Sequence, residues 1–176
     1  NKTPKRPNFS CGPCVKRPGW TIKNFNTLDL LGRSHRSDVC LKTLNEVISL
    51  TKETLDIPTN YKVAIVPGSN TGAFEMALWS MIGPLPVDAL AWETFGSGKI
   101  YDLKDQLKIK DLRIHKADYS SIPDLSLVSD DTDICFTWNG TTSGVKVPNA
   151  DWISQNRKGI TFCDATSAIY SQELDW

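Results

Sequence analysis

The sequence has few of the features that would assign it to a membrane or nucleic-acid-binding class. No apolar run approaches the ~18 residues that a membrane span needs. Lysine plus arginine number 20 and aspartate plus glutamate number 20, so the formal net charge is zero. No membrane or nucleic-acid partner is therefore expected. A cytoplasmic protein is predicted, because no charged and then apolar signal segment precedes a small-residue cleavage site.

Disulfide and metal chemistry also receive little support. The chain has five cysteines, an odd number, and two histidines. Cys11 and Cys14 have the spacing of a redox pair, but they lie in a proline-rich arm and not at the start of a helix after a strand, the context that lowers a thiol pKa. Because His35 and His115 form no short ligand cluster with that pair, no metal is predicted.

Helical and strand patterns alternate after the basic, proline-rich residues 1–37, which are predicted to form an extended arm. A helix capped by Ser37 is predicted over 38–55, with an apolar face that packs, and an almost wholly apolar, buried helix over 73–82. Further helices are predicted over 97–107 and 150–156, and strands over 61–66, 87–92, 112–117, 131–138 and 159–164. This order predicts an α/β fold with a mostly parallel sheet and helices on both faces.

Open sheets of this class bind ligands at the carboxyl ends of their strands, so the loops at those ends are the candidate sites. Residues 68–72, Gly-Ser-Asn-Thr-Gly, join a strand to a helix and offer donors at the positive end of that helix. This composition suits a phosphate group, although an ordinary tight turn is the alternative. Thr141 and Thr142 offer hydroxyl donors between glycines, where a simple turn is again the alternative.

Two further groups could meet a ligand. Asp164 ends a buried strand, where its charge needs a partner such as a pyridinium N–H, with a structural salt bridge or a helix cap as the alternatives. Arg33, His35 and Arg36 precede a helix and suit an anionic substrate, or a solvated loop. Phosphate donors, an acid, a hydroxyl and a nearby aromatic residue in 92–95, Trp-Glu-Thr-Phe, together form the set that holds pyridoxal 5′-phosphate.

At this point the motifs resemble one family, the phosphoserine aminotransferases. The resemblance runs through residues 8–13, 34–37, 65–72, 138–145 and 163–168. It implies a homodimer of fold type I that uses pyridoxal phosphate, with residues 38–176 as the N-terminal part of its large domain. The implied reaction interconverts 3-phosphohydroxypyruvate plus glutamate and phosphoserine plus 2-oxoglutarate, in serine and often pyridoxine biosynthesis.

The resemblance also assigns roles to individual residues. Asn70 and Thr71 would hold the cofactor phosphate, Phe95 would stack on the ring, Thr141 would reach the phenolic oxygen, and Asp164 would pair with the ring nitrogen. In substrate binding, the implied residues are Ser10, His35 and Arg36. Two positions depart from the common bacterial pattern, which has arginine where Thr71 stands and tryptophan where Phe95 stands.

The resemblance further implies that the cofactor-binding lysine lies beyond Trp176, so this chain alone is expected to be inactive. Lys99, Lys146 and Lys158 do not match its position. A transaminase formed with further residues is the first hypothesis. A catalytically silent α/β module that binds a phosphorylated ligand, or that serves as an interface, is the second. A desulfurase or lyase of the same fold type is a third.

Overall fold

The computed structural model describes residues 18–21, 23, 30, 32–174 and 176. The chain divides into two compact units, Asn1–Ser49 and Leu50–Trp176. Ser10, Cys11 and Cys14 lie outside the described residues. The predicted division into an arm of residues 1–37 and a cofactor-binding segment of residues 38–176 stays a prediction.

Helix α1, Asp38–Thr54, begins directly after Ser37, as predicted. The amide of Leu41 donates to the carbonyl of Ser37 at 2.9 Å. Asp38 in the first turn and Lys52 in the last have the charges that favour the two ends of the helix dipole. No residue of α1 is buried. The predicted packed face is therefore wrong for the described part of the chain, where Leu44 and Val47 are exposed.

Helix α2, Asn70–Met81, confirms the second predicted helix and begins three residues earlier. Ser69 caps it, accepting a hydrogen bond from the Gly72 amide at 3.2 Å. The expected burial of this helix is wrong except along one side, since Leu78 is its one buried residue. Leu78, Phe74 and Ala77 pack against the sheet, while Met76 and Trp79 are 43% and 50% exposed.

The strand predicted over 61–66 is wrong, because these residues have no regular secondary structure. Ile65 and Val66 are 53% and 38% exposed, so the apolar run has no partner strand in the described part of the chain. The helix predicted over 150–156 is also wrong, because these residues form turns and bends. There Asn149 accepts from the amide of Asp151 at 3.2 Å, a local bond that competes with helix formation.

Among the described residues, the sheet has four strands in the order β2-β1-β3-β4. They span Val87–Ala91 (β1), Leu112–Lys116 (β2), Asp133–Thr137 (β3) and Thr161–Asp164 (β4). Every pairing is parallel. Helix α3, Thr94–Tyr101, follows β1 and continues as a π-helical segment, Asp102–Gln106. The predicted α/β class with a mostly parallel sheet is therefore confirmed.

The core lies on the two faces of the sheet. Helices α2 and α3 cover one face, where Leu78, Ile100 and Leu103 pack against alternate residues of β1 and β3. The other face, where helices were also predicted, carries one short 3-10 helix in the described part of the chain, Leu125–Leu127. Together with irregular segments it buries Trp92, Phe136 and other apolar side chains. Strands β1 and β3 are buried along their whole length, as expected for the centre of a parallel sheet.

A buried acid ties the sheet together near the amino ends of its strands. The side chain of Asp88 is fully buried. It accepts hydrogen bonds from Arg113 at 2.7 Å and Thr132 at 2.6 Å, and His115 Nε2 lies 2.8 Å from its other oxygen. Burial raises the pKa of Asp88, but hydrogen bonds from Thr132, His115 and Ser129 outweigh this effect and lower the pKa below its ordinary value.

Replacing this acid should expose its contribution to stability. Asp88→Asn is expected to lower the free energy of unfolding by about 3 kcal/mol, because a neutral amide replaces the charge-assisted hydrogen bonds that the buried carboxylate accepts from Arg113 and Thr132 with fewer and weaker ones. Since the folded pKa is lowered, the contribution is complete above the ordinary carboxyl pKa and disappears as the pH falls through the folded value. Urea unfolding between neutral and acidic pH measures both effects.

Asp131→Asn is the matched control, since Asp131 pairs with Lys158 at 2.7 Å while both side chains are largely exposed. It should leave stability almost unchanged. An Asp88→Asn chain as stable as the wild type at neutral pH would contradict the role of this network.

Candidate functional site

A cavity of about 220 Å³ lies at the carboxyl ends of β3 and β4. After β1 the chain crosses to one edge of the sheet and then returns to the other side, so the switch point lies between β1 and β3. Ligands of open α/β sheets bind at such a point. The cavity is lined by Asn70, Thr71, Phe95, Thr137, Asn139, Thr141, Asp164, Thr166 and Ser167.

The start of α2 forms one wall of the cavity. Gly68 turns the chain with φ +104°, a conformation that favours glycine, and Ser69 then caps the helix. Asn70 and Thr71 are the first two residues of α2 and line the cavity. Backbone N–H groups at the start of a helix have no acceptor within the helix, so this wall can bind an anion.

The loop after β3 forms a second wall and carries Thr141. Its ends are joined where the Val147 amide donates to the Trp138 carbonyl at 3.0 Å, and the Gly140 amide donates to Val145 at 2.7 Å. Gly140 is needed there, because a Cβ would lie 2.7 Å from Glu93 Cγ. The hydroxyls of Thr141 and Ser167 are 3.4 Å apart across the cavity.

Glu93 fixes the aromatic wall of the site. Its side chain caps α3, accepting a hydrogen bond from the Gly96 amide at 2.6 Å. Its other oxygen accepts from the Thr142 hydroxyl at 3.1 Å. The start of α3, where Phe95 lies 48% exposed, is thereby joined to the loop that carries Thr141. A planar ligand in the cavity would find an accessible aromatic ring in a fixed position.

Asp164 supplies the charge of the site. Its Oδ2 lies 2.7 Å from Lys99 Nζ, and both side chains are mostly buried. Its Oδ1 accepts from the amide and the hydroxyl of Thr166 at 3.1 and 2.6 Å. Burial raises the pKa of Asp164, but the bonds from Lys99 and Thr166 outweigh it and lower the pKa below its ordinary value. The carboxyl is therefore ionised at neutral pH.

Thr137 contributes a hydroxyl that has no hydrogen-bond partner. The residue is 3% exposed, and its Oγ1 is the one buried side-chain polar atom left unpaired among the described residues. Thr137 stands beside Asp164 in the parallel register of β3 and β4 and lines the cavity. Buried polar groups are rarely left unpaired, so this atom is expected to meet a ligand or a water.

The structure brings five of the predicted residues to one cavity: Asn70, Thr71, Phe95, Thr141 and Asp164. Of the three predicted substrate-binding residues, Ser10 lies outside the described residues, and His35 and Arg36 lie in the other unit. The roles predicted for these three residues and for the five that line the cavity stay predictions. Thr142 does not line this cavity; its hydroxyl donates to Glu93 at 3.1 Å and lies 3.0 Å from the Tyr119 hydroxyl.

Sequence reasoning did not single out Thr137, Thr166 or Ser167, and it named Lys99 only to exclude it as the cofactor-binding lysine. The position of Thr137 at the end of a predicted strand was the available signal for that residue. The salt bridge weighed as an alternative for Asp164 is present in the structure, with Lys99 as its partner.

Metal-binding and membrane-spanning features are absent from residues 18–21, 23, 30, 32–174 and 176. Within these ranges, no group of three or more histidine, cysteine or acidic side chains could hold a metal ion. Within the same ranges, no helix is long and apolar enough to cross a membrane. The described cysteines, Cys40, Cys135 and Cys163, are free thiols.

Comparison with known proteins identifies relatives of this chain. No family model matches. A phosphoserine aminotransferase from Methanosarcina barkeri is 50% identical over 175 residues, covering 99% of this chain and 47% of the relative. The chain is similar to phosphoserine aminotransferases. It spans about half the length of the curated relatives it matches.

Solved structures support the fold of this phosphoserine aminotransferase-like chain. A phosphoserine aminotransferase from Cytophaga hutchinsonii matches 88% of the chain and 43% of its own length, with a TM-score of 0.75 and 23% identity. A pyridoxal-phosphate-bound phosphoserine aminotransferase from Trichomonas vaginalis matches 68% of the chain and 36% of its own length, with a TM-score of 0.53 and 18% identity. The fold predicted from the resemblance is confirmed.

The unpaired hydroxyl gives a test of the cavity that needs no ligand. Thr137→Val replaces it with a methyl group of similar size and should raise the free energy of unfolding by roughly 1 kcal/mol. Thr132→Val is the matched control, because Thr132 is equally buried but its hydroxyl donates to Asp88 at 2.6 Å. The control should lower stability by roughly 2 kcal/mol in urea unfolding. A loss of similar size in Thr137→Val would mean that its hydroxyl is already bonded in the folded chain.

Proposed function

We propose that this chain forms the cofactor-binding part of a pyridoxal-phosphate-dependent phosphoserine aminotransferase. The observation that carries this proposal is the meeting of Asn70, Thr71, Phe95, Thr141 and Asp164 around one cavity at the switch point of the sheet. The curated relatives are named phosphoserine aminotransferase, which supports the same activity. The family resemblance implies that an amino group passes between glutamate and 3-phosphohydroxypyruvate.

The donor set of the cavity fits this cofactor. Pyridoxal phosphate has a phosphate, a flat ring, a phenolic oxygen and a ring nitrogen, which require donors, an apolar face and an acid. The cavity has hydroxyl and amide groups on two walls, an aromatic ring on a third, and one ionised carboxyl. The unpaired hydroxyl of Thr137 supports the fit, because a bound cofactor would offer it an acceptor.

Each residue has a distinct task in this proposal. The start of α2, with Asn70 and Thr71, binds the phosphate, and Phe95 covers one face of the ring. Thr141 donates a hydrogen bond to the phenolic oxygen. Asp164 holds a proton on the ring nitrogen, because its ionised carboxylate stabilises the adjacent positive charge. When bound, the cofactor supplies an electron-accepting ring that stabilises negative charge on the α-carbon of the substrate.

The substrate and the assembly are proposed from the family resemblance. His35 and Arg36 would bind the distal phosphate or carboxylate of the substrate, and Ser10 would lie near it. A cationic guanidinium suits both groups because it can pair with two oxygens at once. A homodimer and a cytoplasmic location complete the proposal.

Cofactor binding by the 176-residue chain tests the pocket directly. The chain should bind pyridoxal phosphate and its analogue 4′-deoxypyridoxine 5′-phosphate, which lacks the aldehyde and so needs no lysine. Asn70→Ala and Thr141→Val should each weaken binding about fivefold, the equivalent of roughly 1 kcal/mol for one hydrogen bond. Isothermal titration calorimetry measures the affinities.

Ser126→Ala serves as the control, since Ser126 bonds to Asp124 at 2.6 Å outside the cavity, and it should leave the affinity unchanged. Failure of the folded wild-type chain to bind either compound would refute the proposed pocket. Equal losses in all three variants would show that binding occurs elsewhere.

A chimera tests the reaction. Replacing the 175 matched residues of the Methanosarcina barkeri protein with this chain should retain glutamate-dependent conversion of 3-phosphohydroxypyruvate to phosphoserine, because the two sequences are 50% identical there. Product formation can be followed by chromatography. A folded chimera that binds the cofactor but converts no phosphorylated substrate would favour the silent module, and activity on cysteine alone would favour a desulfurase.

A further inference from the structure

Lys99 is a buried cation that joins three elements of the candidate site. It lies on α3 with its side chain 9% exposed, and its Nζ is 2.7 Å from Asp164 Oδ2 at the end of β4. The same Nζ lies 4.7 Å from the ring centroid of Phe74 on α2. Helix α2 begins with the proposed phosphate donors, and α3 begins near Phe95. One side chain thus links the elements that carry the phosphate, ring and nitrogen contacts.

The hydrogen bonds of Asp164 leave room for one more donor. An ionised carboxylate offers about four acceptor positions. Thr166 uses two on Oδ1, and Lys99 uses one on Oδ2. The remaining position is on Oδ2, in a side chain that lines the cavity. Rotation of the carboxylate would break bonds on both oxygens, so its orientation is fixed before any ligand arrives.

On the basis of the proposed function, we propose that Lys99 is a positioning residue, which holds the Asp164 carboxylate ionised and oriented so that its free acceptor position receives the cofactor ring nitrogen. Lys99 itself does not contact the cofactor in this arrangement. Its role is to keep a partly buried acid ready for a cation that arrives with the ligand.

The other titratable groups around this pair do not replace Lys99. Burial raises the pKa of Cys135 on β3 and of Cys163 on β4 to about 12, so both thiols stay neutral. Burial and Glu75 of α2 raise the pKa of Asp102, which follows α3. Among the described groups that lower the pKa of Asp164, Lys99 is the one that carries a charge. Without it, burial would favour the protonated acid.

The pH dependence of analogue binding tests this role. The protonated ring nitrogen of the analogue pairs with the ionised form of Asp164. Once Asp164 is protonated, pairing requires the loss of a proton, so the affinity for the analogue should fall as the pH drops through the pKa of Asp164. In Lys99→Met, the acidic fall in affinity for 4′-deoxypyridoxine 5′-phosphate should begin roughly one to three pH units higher than in the wild type. Lys99→Arg keeps the charge and should restore the wild-type profile. Calorimetric titrations of the 176-residue chain across pH provide the curves.

The outcomes separate this inference from the proposed function. A wild-type chain that binds no analogue at any pH would overturn both. Binding by the wild type with the same pH profile in Lys99→Met would overturn the role of Lys99 alone. Carboxyl NMR of Asp164 in the wild-type chain needs no variant and must show titration below the ordinary carboxyl range. Titration at or above that range would overturn the inference even if Lys99→Met does not fold.

Discussion

The partly buried charge of Asp164 is the constraint around which the candidate site is organised. A carboxylate that is 13% exposed at the end of a strand requires donors, because an unpaired charge there would be costly. Lys99 reaches it from α3, and Thr166 reaches it from the loop that follows β4. The interactions that satisfy this charge therefore also hold together the elements that line the cavity.

The parallel sheet explains why the other groups meet Asp164. Its strands all end at the same edge, and the register sets Thr137 of β3 directly beside Asp164 of β4. The turn from β1 into α3 brings Phe95 to that edge, where Glu93 bonds it to the loop carrying Thr141. The opposite edge has a structural role, because the Asp88 carboxylate there is hydrogen-bonded to four protein donors that hold the strands together. The network around Asp88 and the candidate ligand site thus lie at opposite ends of the same strands.

The sequence predicted those features that depend on local patterns. Strands β1 and β3 each contain three consecutive apolar residues, 89–91 and 134–136, and the loop before α2 carries its own glycine and cap, so both could be recognised. The predicted strand over 61–66 is also apolar, but a strand requires a partner, and no pattern within a segment reveals whether one is present. The turns over 150–156 arise from side-chain bonds at Asn149 that periodicity does not register. Lys99 could not be found from sequence, because its meeting with Asp164, 65 residues away, depends on tertiary packing.

The central claim is that Asp164 faces a protonated ring nitrogen inside this cavity. The most direct measurement is the NMR signal of that nitrogen in isotopically labelled 4′-deoxypyridoxine 5′-phosphate bound to the chain. The bound nitrogen should be protonated at neutral pH and should remain so at pH values where the free compound has lost its proton. A bound ring whose nitrogen loses its proton at the same pH as the free compound would contradict the account.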